Sequence, residues 1–66
     1  MNYDELNRVI QESGMKRGSI AQALGLTDWQ FSRRVNGKVA WKTNEILAFA
    51  KVLRLTKSQR DHIFLP

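Results

Sequence analysis

The 66-residue chain has no cysteine, and its only proline is the last residue, Pro66. Without cysteine, no disulfide framework or thiolate metal site supports the fold. With proline confined to the end, nothing inside the chain forbids helix. No alternating run of β-branched residues predicts a strand, and no apolar stretch approaches the roughly 20 residues that cross a bilayer. The opening MNYDELNRV is acidic and amphipathic, unlike a basic-then-apolar leader, so a cytoplasmic protein without membrane association is expected. His62 is the single histidine, and Asp61 beside it points to a different helical face. Paired carboxylates, a phosphate-cradling glycine loop and metal-ligand spacings are all missing. The expectation is therefore no enzyme, no metal, no cofactor and no small-molecule ligand. The aromatic platforms on which single-stranded RNA stacks are missing too.

What is present is charge, unevenly placed. The net charge is +5. Residues 1–12 carry −2 from Asp4, Glu5 and Glu12 against Arg8. Residues 13–44 carry +5 from Lys16, Arg17, Arg33, Arg34, Lys38 and Lys42 against Asp28 alone, and residues 45–66 carry +2. A basic middle segment points to a polyanionic partner or to a solvated basic surface.

Caps and periodicity predict five short helices in one domain spanning residues 1–66. Asn2 and Glu5 have capping-box spacing ahead of Leu6, Val9 and Ile10, and Gly14 suits the end of a first helix near 3–13. A second begins around Arg17, aligns Ile20, Ala21 and Leu24, and ends at Gly25. Thr27 and Gln30 form a box for a third, with Phe31 and Val35 inward and Asn36-Gly37 as its stop. A loop over 38–42 leads to a fourth near Thr43, expected to turn Ile46, Leu47, Phe49, Ala50 and Leu53 to the core. Thr56 and Gln59 repeat the box for a fifth ending in Ile63, Phe64 and Leu65. No internal repeat or low-complexity segment is evident.

The join at Gly25 is short. Two helices linked by a three- or four-residue turn containing glycine cross steeply, as in a helix-turn-helix. Ala21 allows the close crossing, and Ile20, Leu24, Leu26 and Phe31 form the shared apolar wedge. With Phe31 and Val35 inward, Asp28, Trp29, Ser32 and Arg33 face out.

These features together resemble the Cro/repressor (XRE-type) helix-turn-helix family of lambda-repressor-like DNA-binding domains. The resemblance is carried by the first helix ending in Gly14-Met15, the IAQALGLT segment, the VNGK exit and the ILAFAKVLRLT helix leading to a fifth. It implies an all-α, compact five-helix domain that places its third helix in the major groove of double-stranded DNA. Asp28, Trp29 and Arg33 then match base-contacting positions, with Ser32 on the same face. Arg33 suits guanine, whose O6 and N7 take a guanidinium fork. Trp29 packs on thymine methyls or sugars, lies against Arg33, or folds back onto the core. Asp28 accepts from cytosine N4 or orients Arg17 or Arg33. The resemblance assigns phosphate contacts to Arg17 and Asn36, which Lys38 and Lys42 suit equally, and it assigns Trp41 to the core.

Some positions depart from the family. Lys16 occupies the cap of the second helix, Gly18 lies in its first turn, and Arg34 stands where an apolar residue is common. A buried Arg–Glu pair of some members falls on Ile10 and Val35, both apolar. The family often pairs through its C-terminal region, so Ile63, Phe64 and Leu65 are expected at a homodimer interface, including one formed only on DNA, or else they close the monomer core. The leading expectation is a sequence-specific regulator, most simply a repressor. The alternative is a protein-interaction module, adaptor or antitoxin-like, that keeps the fold without base readout.

Overall fold

The computed structural model describes residues 1–65. Five α-helices follow one another: α1 (Tyr3–Glu12), α2 (Arg17–Ala23), α3 (Asp28–Val35), α4 (Thr43–Val52) and α5 (Lys57–Phe64). The described residues contain no strand. Each helix is at most ten residues long, too short to persist alone in water, so caps and packing must hold it.

The expected capping boxes of α3 and α5 are complete. Thr27 Oγ1 accepts from the Gln30 N–H at 3.1 Å while Gln30 Oε1 accepts from the Thr27 N–H at 2.9 Å. Thr56 and Gln59 do the same at 3.1 and 2.8 Å. At α1 only half of the box forms. Asn2 Oδ1 accepts from the Glu5 N–H, but the Glu5 carboxylate pairs with Arg8 instead. The Asn2 N–H thereby left over donates to the Ile63 carbonyl at 2.8 Å, tying the start of α1 to α5. The start of α2 at Lys16 has no side-chain cap.

Helices α2, α3 and α4 end alike. At the α2–α3 junction the Leu26 N–H donates back to the Ala21 carbonyl at 2.9 Å and the Gly25 N–H to that of Gln22 at 3.0 Å. This is the Schellman closure, which needs a left-handed residue, and Gly25 supplies it at φ +74°. At the α4–α5 junction Leu55 reaches Ala50 and Arg54 reaches Lys51 in the same pattern. There the left-handed residue is Arg54, at φ +55°. The two turns share a local pattern: Leu24-Gly25-Leu26-Thr27 with Gln30 corresponds to Leu53-Arg54-Leu55-Thr56 with Gln59. The turn expected between α2 and α3 is built twice.

The core gathers Leu6, Val9, Ile10, Ile20, Ala21, Phe31, Val35, Phe49 and Ile63. Ala21 has no accessible surface where α2 crosses its neighbours. Trp41 packs against this cluster as expected. It meets Phe31, Phe49 and Phe64 edge-on, with ring centroids 6.2, 5.2 and 5.1 Å away, an arrangement favoured by the quadrupoles of the rings. Its indole N–H donates to the Arg34 carbonyl at 3.2 Å, so the polar atom is not left bare.

Leu47 departs from expectation. It is 53% exposed, while Phe49 is wholly buried. Two residues rotate a helix by about 200°, so Leu47 cannot share a face with the buried Glu45 and Phe49. Arg34 and Glu45 depart in the other direction. Both are buried, at 8% and 4% exposure, and Arg34 Nε donates to Glu45 Oε1 at 2.8 Å. The chain therefore has a buried Arg–Glu pair after all, joining α3 to α4, while Ile10 and Val35 pack as apolar residues.

Candidate functional site

The third helix displays one face to solvent because its other face is claimed. Phe31 and Val35 are buried, and Arg34 beside them is locked by Glu45 and by its own Nη1 donating to the Gln30 carbonyl at 3.1 Å. Asp28 and Trp29 are exposed on the opposite side, with Ser32 and Arg33 half-buried.

Trp29 does not fold onto the core. It is 69% exposed, and the Arg33 guanidinium carbon lies over its ring, 4.9 Å from the centroid. Side chains on a helix lean toward its N-terminus, which carries Arg33 back across Trp29, one turn earlier. Such a pair is held by attraction between the cation and the ring face. Among the described residues the Arg33 side chain makes no ion pair, so its positive charge is uncompensated.

Asp28 pairs with neither Arg17 nor Arg33, which corrects one of its two expected uses. Its carboxylate lies against Gly18 in the first turn of α2, where an added Cβ would stand 3.4 Å from Oδ1. A Cβ at that distance makes an ordinary contact, so the approach of the two helix starts does not require glycine at position 18. Asp28 still occupies the first turn of α3, where negative charge offsets the helix dipole. Arg17 instead donates from Nη2 to Asn7 Oδ1 on α1 at 3.0 Å.

The remaining phosphate-contact candidates, Asn36, Lys38 and Lys42, lie between the C-terminal end of α3 and the start of α4. Asn36 caps α3, exposed, with Nδ2 3.4 Å from Ser32 Oγ. The Lys38 N–H closes the helix onto the Arg33 carbonyl at 2.8 Å, leaving its side chain in solvent. Lys42 is also exposed, and its N–H donates to Glu45 Oε1, the oxygen that holds Arg34. One buried carboxylate therefore fixes the position of α3 relative to the backbone of the Lys42 loop. Burial opposes the Glu45 charge, but hydrogen bonds from Arg34 and from the Lys42 amide, with the charges of both cations, outweigh it and hold its pKa below 4.5.

Sequence reasoning missed this carboxylate, although Glu45 has capping-box spacing from Lys42 and Arg34 sits between Phe31 and Val35. It also missed Tyr3, whose ring covers Gly37 so closely that an added Cβ would lie 3.0 Å from Cζ and Oη. The expected pairing surface is corrected in part. Ile63 has no accessible surface and belongs to the core of its own chain, and Phe64 is engaged with Trp41 and Phe49. Leu65 alone is freely exposed, at 74%.

No helix among the described residues is long and apolar enough to cross a membrane. Among the same residues, no group of three His, Cys, Asp or Glu side chains is placed to hold a metal ion. The chain matches, over residues 1–66, the model of the family described as "Protein of unknown function (DUF739)", and it belongs to that family. Searches of the curated proteins and of the solved structures returned no match.

Proposed function

We propose that the protein is a sequence-specific double-stranded DNA-binding regulator of transcription, of the Cro/repressor helix-turn-helix type, with α3 inserted in the major groove. The observation that carries this reading is the outward face of α3. An arginine with no ion partner rests on an exposed indole, on a short helix that follows a tight glycine turn. A solvated surface has no use for a tryptophan held open in this way, whereas a groove lined by base edges does.

In this reading Arg33, Trp29, Asp28 and Ser32 meet base edges. Arg17, Asn36, Lys38 and Lys42 meet phosphates and set the register. The Arg34–Glu45 pair holds α3 at a fixed angle to the Lys42 loop, so base and phosphate contacts keep a constant spacing. One short helix reads few base pairs, so specific binding takes two copies on half-sites about 34 Å apart. Leu65 and the partly exposed Phe64 are what remains of the expected pairing surface to join them. Occupying an operator blocks polymerase, which makes repression the simplest outcome, in the cytoplasm.

Selection of bound duplexes from a random library at near-physiological salt tests the reading. An enriched palindrome is the expected result. A single asymmetric site would retain the DNA reader without the dimer. No enrichment, with binding that merely fades as salt rises, would overturn base reading in favour of a protein partner.

A further inference from the structure

Trp29 and Arg33 are close enough to act together. The guanidinium carbon stands 4.9 Å from the indole centroid, and 69% of the tryptophan remains accessible. The ring lies beside the cation and presents apolar surface next to its N–H donors.

Major-groove base edges offer few matches to such a combination. Guanine presents two acceptors that fit the arginine fork, and thymine alone presents a methyl group. Successive bases on a strand are about 3.4 Å apart along the duplex axis, so bases two steps apart are separated by about 6.8 Å. The 4.9 Å between guanidinium carbon and ring centroid lies nearer the spacing of neighbouring bases than that of bases two steps apart. The other outward residues do not compete for this role, because Asp28 lies against Gly18 and neither it nor Ser32 carries apolar surface of any size.

Resting on the DNA-binding reading above, we infer that Trp29 and Arg33 form one composite reader of a two-base step, guanine beside thymine. Arg33 donates to O6 and N7 of the guanine, and Trp29 covers the 5-methyl group of the adjoining thymine. Neither residue acts alone: the ring limits the directions open to the fork, and the fork fixes which thymine the ring reaches.

The test begins with the duplex recovered by selection. Deoxyuridine then replaces the thymine next to the guanine, which removes the methyl and nothing else. The wild-type protein is expected to bind the deoxyuridine duplex about fourfold more weakly, the worth of one buried methyl group. Trp29→Ala is expected to bind both duplexes equally, and Arg33→Ala to lose its preference for guanine. Circular dichroism checks that both variants fold. A selected half-site with no guanine–thymine step, or wild-type binding indifferent to the methyl, overturns the composite reader while DNA reading stands. A selection that enriches nothing overturns both.

Discussion

The Arg34 side chain donates to Glu45 and to the Gln30 carbonyl, and the Arg34 carbonyl accepts from the Trp41 indole N–H. A buried pair of this kind adds little net stability, since desolvation of both charges offsets their attraction, but removing one partner strands the other at a cost of about 3–5 kcal/mol. A domain of 66 residues has roughly 3–10 kcal/mol in total. Glu45→Ala is therefore expected to lose about 3–5 kcal/mol in urea titrations, whereas Arg34→Met with Glu45→Leu folds with near-native stability. Acid should act through the same carboxylate. The folded state holds the Glu45 pKa below its ordinary value of 4.5, so the unfolded chain binds the proton more readily. Its contribution is complete above about that pH and is lost as pH falls through the lower, folded value. Denaturation midpoints measured from pH 6 to 3 should fall steeply for the wild type and less for the double replacement.

Among the elements, the two equivalent junctions make a controlled comparison. Both close with a left-handed residue, but Gly25 takes that conformation without strain, while a side chain such as that of Arg54 opposes it by about 1 kcal/mol or more. Arg54→Gly should raise stability by about 0.5–1 kcal/mol, or several degrees in a thermal melt of so small a domain. Gly37→Ala should lose more than that amount, because φ is +76° and the new Cβ would press on Tyr3. A melt unchanged by either substitution would contradict this account of the turns. Junctions were legible in the sequence because their causes are local: threonine, glutamine and glycine at fixed offsets determine their own hydrogen bonds. What escaped was determined by tertiary position. Leu47 is apolar yet turned outward, and Arg34 is charged yet turned inward, since the face that packs is set by where α2 and α5 lie. The half-formed box at Asn2 escaped for the same reason, its amide being drawn to Ile63 across the fold. At the site, the outward set Asp28, Trp29, Ser32 and Arg33 followed from helical period alone. The contact between Trp29 and Arg33, and the rest of Asp28 against Gly18, required the side chains in place.

Considered as a whole, the molecule measures 27 × 23 × 20 Å, and its negative segment is confined to α1, where Arg8 bridges Glu5 and Glu12. The rest of the chain is positive, so an approaching polyanion meets an oriented dipole, and association should weaken as salt screens it. On the proposed DNA-binding reading, Arg17→Ala, Lys38→Ala and Lys42→Ala are each expected to lower affinity for all duplexes alike and to reduce the slope of log K against log salt by about 1. Arg33→Ala should instead change which duplexes are preferred. The two ends of the chain are closed together by α5, and there Ile63 and Leu65 have opposite fates. Ile63→Ala should cost about 2–5 kcal/mol of stability. Leu65→Ser should leave stability within about 0.5 kcal/mol and, if two copies meet on DNA, reduce the cooperativity of their binding in a gel-shift titration.

The two tryptophans stand in contrasting surroundings, Trp41 enclosed by three phenylalanine rings and Trp29 in water beneath a cation. Excited indoles emit at wavelengths that depend on such surroundings, so the protein carries two built-in optical reporters. Emission from Trp41 should shift to the red only when the core opens. On the proposed DNA-binding reading, emission from Trp29 should dim when bases cover it, with the fold intact. A Trp29→Phe variant would isolate the first signal, and subtraction would yield the second, so that folding and binding can be followed in one cuvette without a dye.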